Sequence, residues 1–241
     1  MKRKLLLQIR PQPTDATCGP TCLHAVYRYY GDAISLKQVV EEVQTLETGG
    51  TLAVQLACHA LRRGYSAHIY TYNLEMFDPS WFQKPGVVLK ERLKAQAAVK
   101  KHPKLRVATE AYLEFCTLGG LLTFQELSPG LIRRHLDKGR PVLTGLSATY
   151  LYGCEREYGA KELEYDDVRG NPVGHFVVLC GYDRKRREVL VADPLQDNPR
   201  FGSHYYSVGV QRVLGSILLG VLTYDANFLL LTPLRSARKQ R

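Results

Sequence analysis

Residues 175–193 read HFVVLCGYDRKRREVLVAD: two apolar runs on either side of a basic tetrad, Arg184-Lys185-Arg186-Arg187. Short runs rich in Val, Leu and aromatic residues around a polar turn predict an antiparallel hairpin. With the turn at Asp183-Arg184-Lys185, Tyr182 pairs with Arg186, and His175 lies directly opposite Asp193. Strand side chains alternate between faces, so a slip of two residues keeps His175 and Asp193 on one face, whereas a slip of one separates them. The hairpin thus sets an imidazole beside a carboxylate. That pairing orients a general base and stabilises its charged form.

The same half of the chain supplies further strands. An apolar strand is expected at 141–148, after a short helix at 131–138 opened by Ser128-Pro129, and a last strand at 228–231. Between them, a loop at 153–174 carries an acidic stretch, 155–167, with six carboxylates and two basic residues. A helix is expected at 208–218. The first half reads as helices. Apolar positions Cys22, Leu23, Val26, Tyr29 and Tyr30 recur at helical spacing over 21–30, with Pro20 suited to a first turn and Gly31 to a stop. Ser35 with Gln38 forms a capping box for a helix at 36–46, and Thr51 is the expected cap of a third helix running to Arg63. A strand is expected at 66–72, then polar helices at 87–101 and 105–117. Helices first and an antiparallel sheet afterwards give an α+β fold, with a helical part at about 12–120, a sheet part at about 121–233 and basic tails at both ends. The 241 residues are expected to form a single domain.

Composition narrows the class. The chain is 45% hydrophobic and 23% charged, which excludes a disordered chain. The net charge of +10 comes from Lys2, Arg3, Lys4, Arg10, Arg235, Arg238, Lys239 and Arg241 at the ends, and from a block at 84–106 where eight basic residues meet only Glu91. No nucleic-acid-binding module accompanies this charge, so nucleic acid is not the expected partner. The longest apolar run, VLGSILLGVL at 213–222, is shorter than the roughly 20 residues of a membrane span. There is no secretory signal, and six cysteines without regular spacing do not read as a disulfide scaffold; a cytoplasmic location follows.

Cys18 sits where a loop meets a helix N-terminus, where free N–H groups and the helix dipole favour a thiolate. Gln12 lies six residues earlier in a stiff Pro11-Gln12-Pro13 loop. A fixed amide there can donate, with the Cys18 N–H, to an oxyanion. The stretch 12–31, QPTDATCGPTCLHAVYRYYG, resembles the N-terminal motif of the bacteriocin-processing cysteine peptidases, papain-like enzymes that cut leader peptides after a double glycine. Gly174-His175-Phe176-Val177-Val178 and Val191-Ala192-Asp193-Pro194 resemble that family's second motif. The resemblance implies a papain-like fold and a catalytic set of Cys18 as nucleophile, His175 as general base, Asp193 orienting it and Gln12 in the oxyanion hole. This chain has Thr17 where many members of the family have Asp, and no stretch resembles the transporter and ATPase segments of the best-known members. The expected relative is therefore a free-standing one. The implied reaction is hydrolysis of a peptide or amide bond in a peptide or protein substrate, through a thioester and without a cofactor or metal. Acyl transfer from the same thioester, or a silent peptide-binding module, are the alternatives. Cys18, Cys22 and His24 lack the second ligand pair of a zinc site, and Cys22 reads as core. His204, beside Tyr205 and Tyr206, reads as a satisfied surface histidine, with lining of a cleft as the alternative.

Overall fold

A computed structural model describes residues 2–46, 49–83, 86–159 and 164–234. The basic C-terminal residues Arg235, Arg238, Lys239 and Arg241 lie outside the described residues, as do Lys84, Lys161 and Glu162. The elements in chain order are β1 (Lys2–Lys4), α1 (Cys18–Tyr29), α2 (Leu36–Glu42), α3 (Ala53–Arg62), β2 (Tyr65–Thr71), α4 (Leu89–Val99), α5 (Pro103–Thr117), β3 (Leu121–Thr123), α6 (Pro129–Asp137), β4 (Val142–Ser147), α7 (Ala148–Tyr152), β5 (Glu157–Tyr158), β6 (Glu164–Tyr165), β7 (Gly174–Asp183), β8 (Glu188–Ala192), β9 (Tyr205–Gly209), α8 (Val210–Leu219) and β10 (Asn227–Pro233).

The main sheet runs β3-β2-β10-β4-β7-β8-β9. Its pairings are antiparallel except β2 with β3. Along β7, β4 pairs with Gly174–Leu179, while β1 pairs with Gly181–Asp183. β7 is buried from His175 to Tyr182, as a central strand covered on both faces must be. Phe176 meets α1 and α3: a Cβ built on Gly19 would lie 3.2 Å from its ring and 3.3 Å from Leu56. Phe228, opposite Thr144 and so on the other face, packs against Tyr70 and against His135 of α6. The α+β reading therefore holds, with helices on both faces.

The local details refine the expectations. α1 begins at Cys18 itself, so Pro20 falls within its first turn. Ser35 caps α2 through Gln38 N at 3.1 Å, but α2 ends at Glu42. The N-cap of α3 is Leu52, whose N–H donates to Gln55 Oε1; the Thr51 hydroxyl turns instead to the Gln44 carbonyl. β2, from the first half of the chain, lies inside the sheet between β3 and β10. The loop at 153–174 contains the small β5–β6 hairpin. A strand, β9, precedes the helix expected at 208–218, which begins at Val210. Among the described residues, no helix is long and apolar enough to cross a membrane.

Candidate active site

The β7–β8 hairpin has two registers. Next to the turn, Asp183 stands opposite Glu188 and Tyr182 opposite Val189; a bulge between Leu179 and Gly181 then shifts the pairing, so that Val178 stands opposite Ala192. The turn is longer than expected, and the inner register is the two-residue slip rather than His175 directly opposite Asp193. Had the outer register continued, Asp193 would face Val178 and point away from His175. The bulge restores the parity. Gly181 marks it: a Cβ there would come within 2.7 Å of the Arg3 carbonyl.

With parity restored, His175 Nε2 donates to Asp193 Oδ1 at 2.8 Å. Asp193 is fully buried. Its Oδ1 also accepts from Leu195 N at 2.9 Å, and its Oδ2 accepts from Tyr152 Oη at 2.8 Å and Tyr206 Oη at 2.6 Å. Burial alone would raise the Asp193 pKa. The charge and hydrogen bond of His175, with the Tyr206 and Leu195 donors, outweigh it and hold the carboxyl below its ordinary range. Burial likewise opposes an imidazolium at His175, but Asp193 and a hydrogen bond with Cys18 raise its pKa to about 10. Since Nε2 serves Asp193, Nδ1 is the ring nitrogen left for Cys18.

Cys18 reaches this histidine because α1 lies close on β7. Gly19 provides no Cβ where Phe176 and Leu56 leave little room. Thr17, the N-cap, does not cap: its hydroxyl donates back to the Thr14 carbonyl at 2.8 Å. The first-turn N–H groups are thus not taken by a capping side chain. One turn on, Cys22 Sγ donates to the Phe176 carbonyl, and burial, then Cys18 and Asp193, raise its pKa well above the thiol range. Cys22 is a core thiol, as its spacing suggested.

Gln12 arrives on an extended arm. Leu5 N donates to Cys180 O, Tyr205 Oη accepts from Ile9 N and donates to Leu7 O, and Gln12 N donates to Pro194 O at 3.1 Å. This fixes Gln12 beside the Asp193-Pro194 strand end. Its side-chain Oε1 is buried without a partner among the described residues. Glu157, in the acidic loop, is close enough to His175 and Asp15 to sense both charges; burial and Asp15 raise its pKa.

No sequence pattern ties Tyr152 or Tyr206 to the site, although Tyr206 and Val208 alternate with exposed neighbours as a strand should. Tyr206 stands opposite Val191, on the same face as Asp193. His204 is half-buried and satisfied: Nδ1 donates to Asp193 O at 2.7 Å, and its carbonyl accepts from Asp193 N at 2.8 Å.

Residues 125–211 match the model of the Peptidase_C39 like family. The chain resembles this family. The matched segment contains Tyr152, His175, Asp193 and Tyr206 and begins after Gln12 and Cys18. No curated protein matches the chain. Among solved structures, a putative C39-like peptidase from Bacillus anthracis is similar at 16% identity, over 97% of this chain and 98% of that one, with a TM-score of 0.49. A double glycine motif protease from an AMS/PCAT transporter, in complex with the leader peptide, is similar at 13% identity over 97% and 99%, with a TM-score of 0.47. The peptidase domain of Streptococcus ComA, a bi-functional ABC transporter of a quorum-sensing pathway, is similar at 13% identity over 95% and 99%, with a TM-score of 0.43.

Proposed function

We propose that this protein is a cysteine peptidase that hydrolyses a peptide or amide bond of a peptide or protein substrate in the cytoplasm, with Cys18 as nucleophile, His175 as general base and acid, Asp193 as orienter and Gln12 in the oxyanion hole. One observation carries the reading: the His175 ring donates at 2.8 Å to the fully buried carboxylate of Asp193, and Cys18 is among the groups that raise its pKa. Cys18 is the first residue of α1, and His175 takes its thiol proton as general base. The thiolate attacks the carbonyl carbon, and the developing oxyanion is met by the Cys18 N–H and the Gln12 amide. His175 then gives its proton to the leaving amine, leaving a thioester on Cys18. Water, deprotonated by His175, attacks that thioester and releases the acid and the free thiol. No step calls on a cofactor.

The test is alkylation at pH 6 with limiting thiol reagent, mapped by peptide mass, in the native protein and in His175→Ala. Preferential labelling of Cys18 that disappears in the variant is the expected result. Equal labelling of every accessible cysteine, unchanged by the variant, would overturn the reading. A peptide library then identifies the product: Cys18→Ala abolishes cleavage, and added amine distinguishes hydrolysis from acyl transfer.

A further inference from the structure

We infer that Tyr152 and Tyr206 are positioning residues whose hydroxyls keep the buried Asp193 ionised and aimed at His175, so that they set the acid limit of the site. The inference rests on the function proposed above and extends it to residues that do not touch a substrate.

The geometry is explicit. A carboxylate has about four lone-pair positions. Each one on Asp193 has a donor: His175 Nε2 and Leu195 N on Oδ1, Tyr152 Oη and Tyr206 Oη on Oδ2. The titratable groups around it are His175 on β7, Tyr152 on α7, Tyr206 on β9, His204 just before β9, and Cys18 and Cys22 on α1. The tyrosines are themselves fixed. Tyr152 ends the one-and-a-half-turn α7, which Ser147 caps through Tyr150 N, and Arg200 Nη1 donates to the Tyr152 carbonyl. Phe201 stacks flat on Tyr206 at 3.8 Å between ring centroids and meets Tyr152 edge-on at 6.5 Å. Both phenols are buried, and burial followed by the Asp193 charge raises their pKa, so they stay protonated as donors. A carboxylate with only His175 as side-chain partner would be desolvated on Oδ2 and would take up a proton at higher pH. Two phenols on Oδ2 oppose that without adding a second cation to compete with His175.

The experiment compares Tyr152→Phe and Tyr206→Phe with Tyr205→Phe. Tyr205 is adjacent on β9, but its hydroxyl serves the N-terminal arm. Each of the first two variants loses one hydrogen bond to the charged Asp193, so the acid limb of the Cys18 alkylation rate should move up by about one pH unit in each. It should stay in place in Tyr205→Phe. Limbs that coincide with the native one in folded Tyr152→Phe and Tyr206→Phe would overturn the inference. A second readout does not need an active Cys18. Asp193 is depressed in the fold, so its stabilisation is present at neutral pH and is lost as pH falls through its folded pKa. The melting-temperature deficit of Tyr206→Phe should therefore shrink as the pH is lowered from 7 through the folded Asp193 pKa, which lies below the ordinary carboxylate value. A deficit that stays constant over the whole acid range in which the fold persists would mean that the hydroxyl only packs, and would sink the inference. If native Cys18 is not preferentially alkylated, the proposed function fails, while this melting comparison still decides the role of the tyrosines.

Discussion

Two carboxylates are buried against the strand that carries His175, and they behave in opposite ways. Asp193 has donors on both oxygens and stays ionised although it is fully buried. Asp225, just before β10, is nearly as buried, yet its Oδ1 has no partner among the described residues. It is wedged against two glycines: a Cβ on Gly145 would lie 2.6 Å from its Cβ, and one on Gly174 would lie 3.0 Å from its Oδ2. The nearby ammonium of Lys104 donates to the Thr223 carbonyl instead. Burial pushes Asp225 up to about 7, with Lys104 and Thr223 pulling only partly against it. Burial therefore does not decide the charge of a carboxylate; the number and charge of its donors do.

The largest way to break this contrast is Asp193→Asn. Loss of the orienting charge should lower kcat/KM on the order of a thousandfold or more with the fold retained, measured once a substrate is identified. An activity near native would place Asp193 outside the chemistry. Asp225→Asn should act on stability rather than turnover. Its raised pKa means that the native fold bears no cost below the unfolded value near 3.8 and the full cost above about 7. The asparagine variant should thus gain relative to native as pH rises from 4 to 8, by up to roughly 4 kcal/mol, read by chemical denaturation at each pH. A pH-independent difference would show that Asp225 stays charged in the fold. Gln12→Ala should reduce turnover about 100-fold with little change in Cys18 alkylation, since an oxyanion donor acts after the thiolate forms. The smallest effect belongs to Cys22→Ala. It removes one buried hydrogen bond to Phe176 O, costs about 1 kcal/mol in denaturation, and should leave Cys18 labelling intact.

Much of this arrangement was legible in the chain. The pairing of a His strand with an Asp strand, and a cysteine opening a helix, follow from period-two alternation and helix punctuation, which are local properties. α5 begins at Pro103, and α6 has Pro129 in its first turn with Ser128 as its N-cap, because proline and serine act on their own backbone. The two residues by which the expected helix at 208–218 overlaps β9 have a local cause: Val208 continues an apolar series into α8, and the short alternation before it is a weak signal.

Which residues complete the site was not local. Taken alone, the hairpin register next to the turn puts Asp193 on the wrong face. The bulge beside Gly181 corrects it where the Arg3 carbonyl of β1 presses on β7. Tyr152 and Tyr206 lie 41 and 13 residues from Asp193 in the chain and meet it only because α7 and β9 converge on β8. That Cys18 opens a helix and that His175 and Asp193 share a strand face could be read from the chain, because each position is tied to a helix end or to strand alternation. The protonation of the two buried acids was decided by tertiary structure alone, because it depends on donors that come from distant elements and are counted only when the chain is packed.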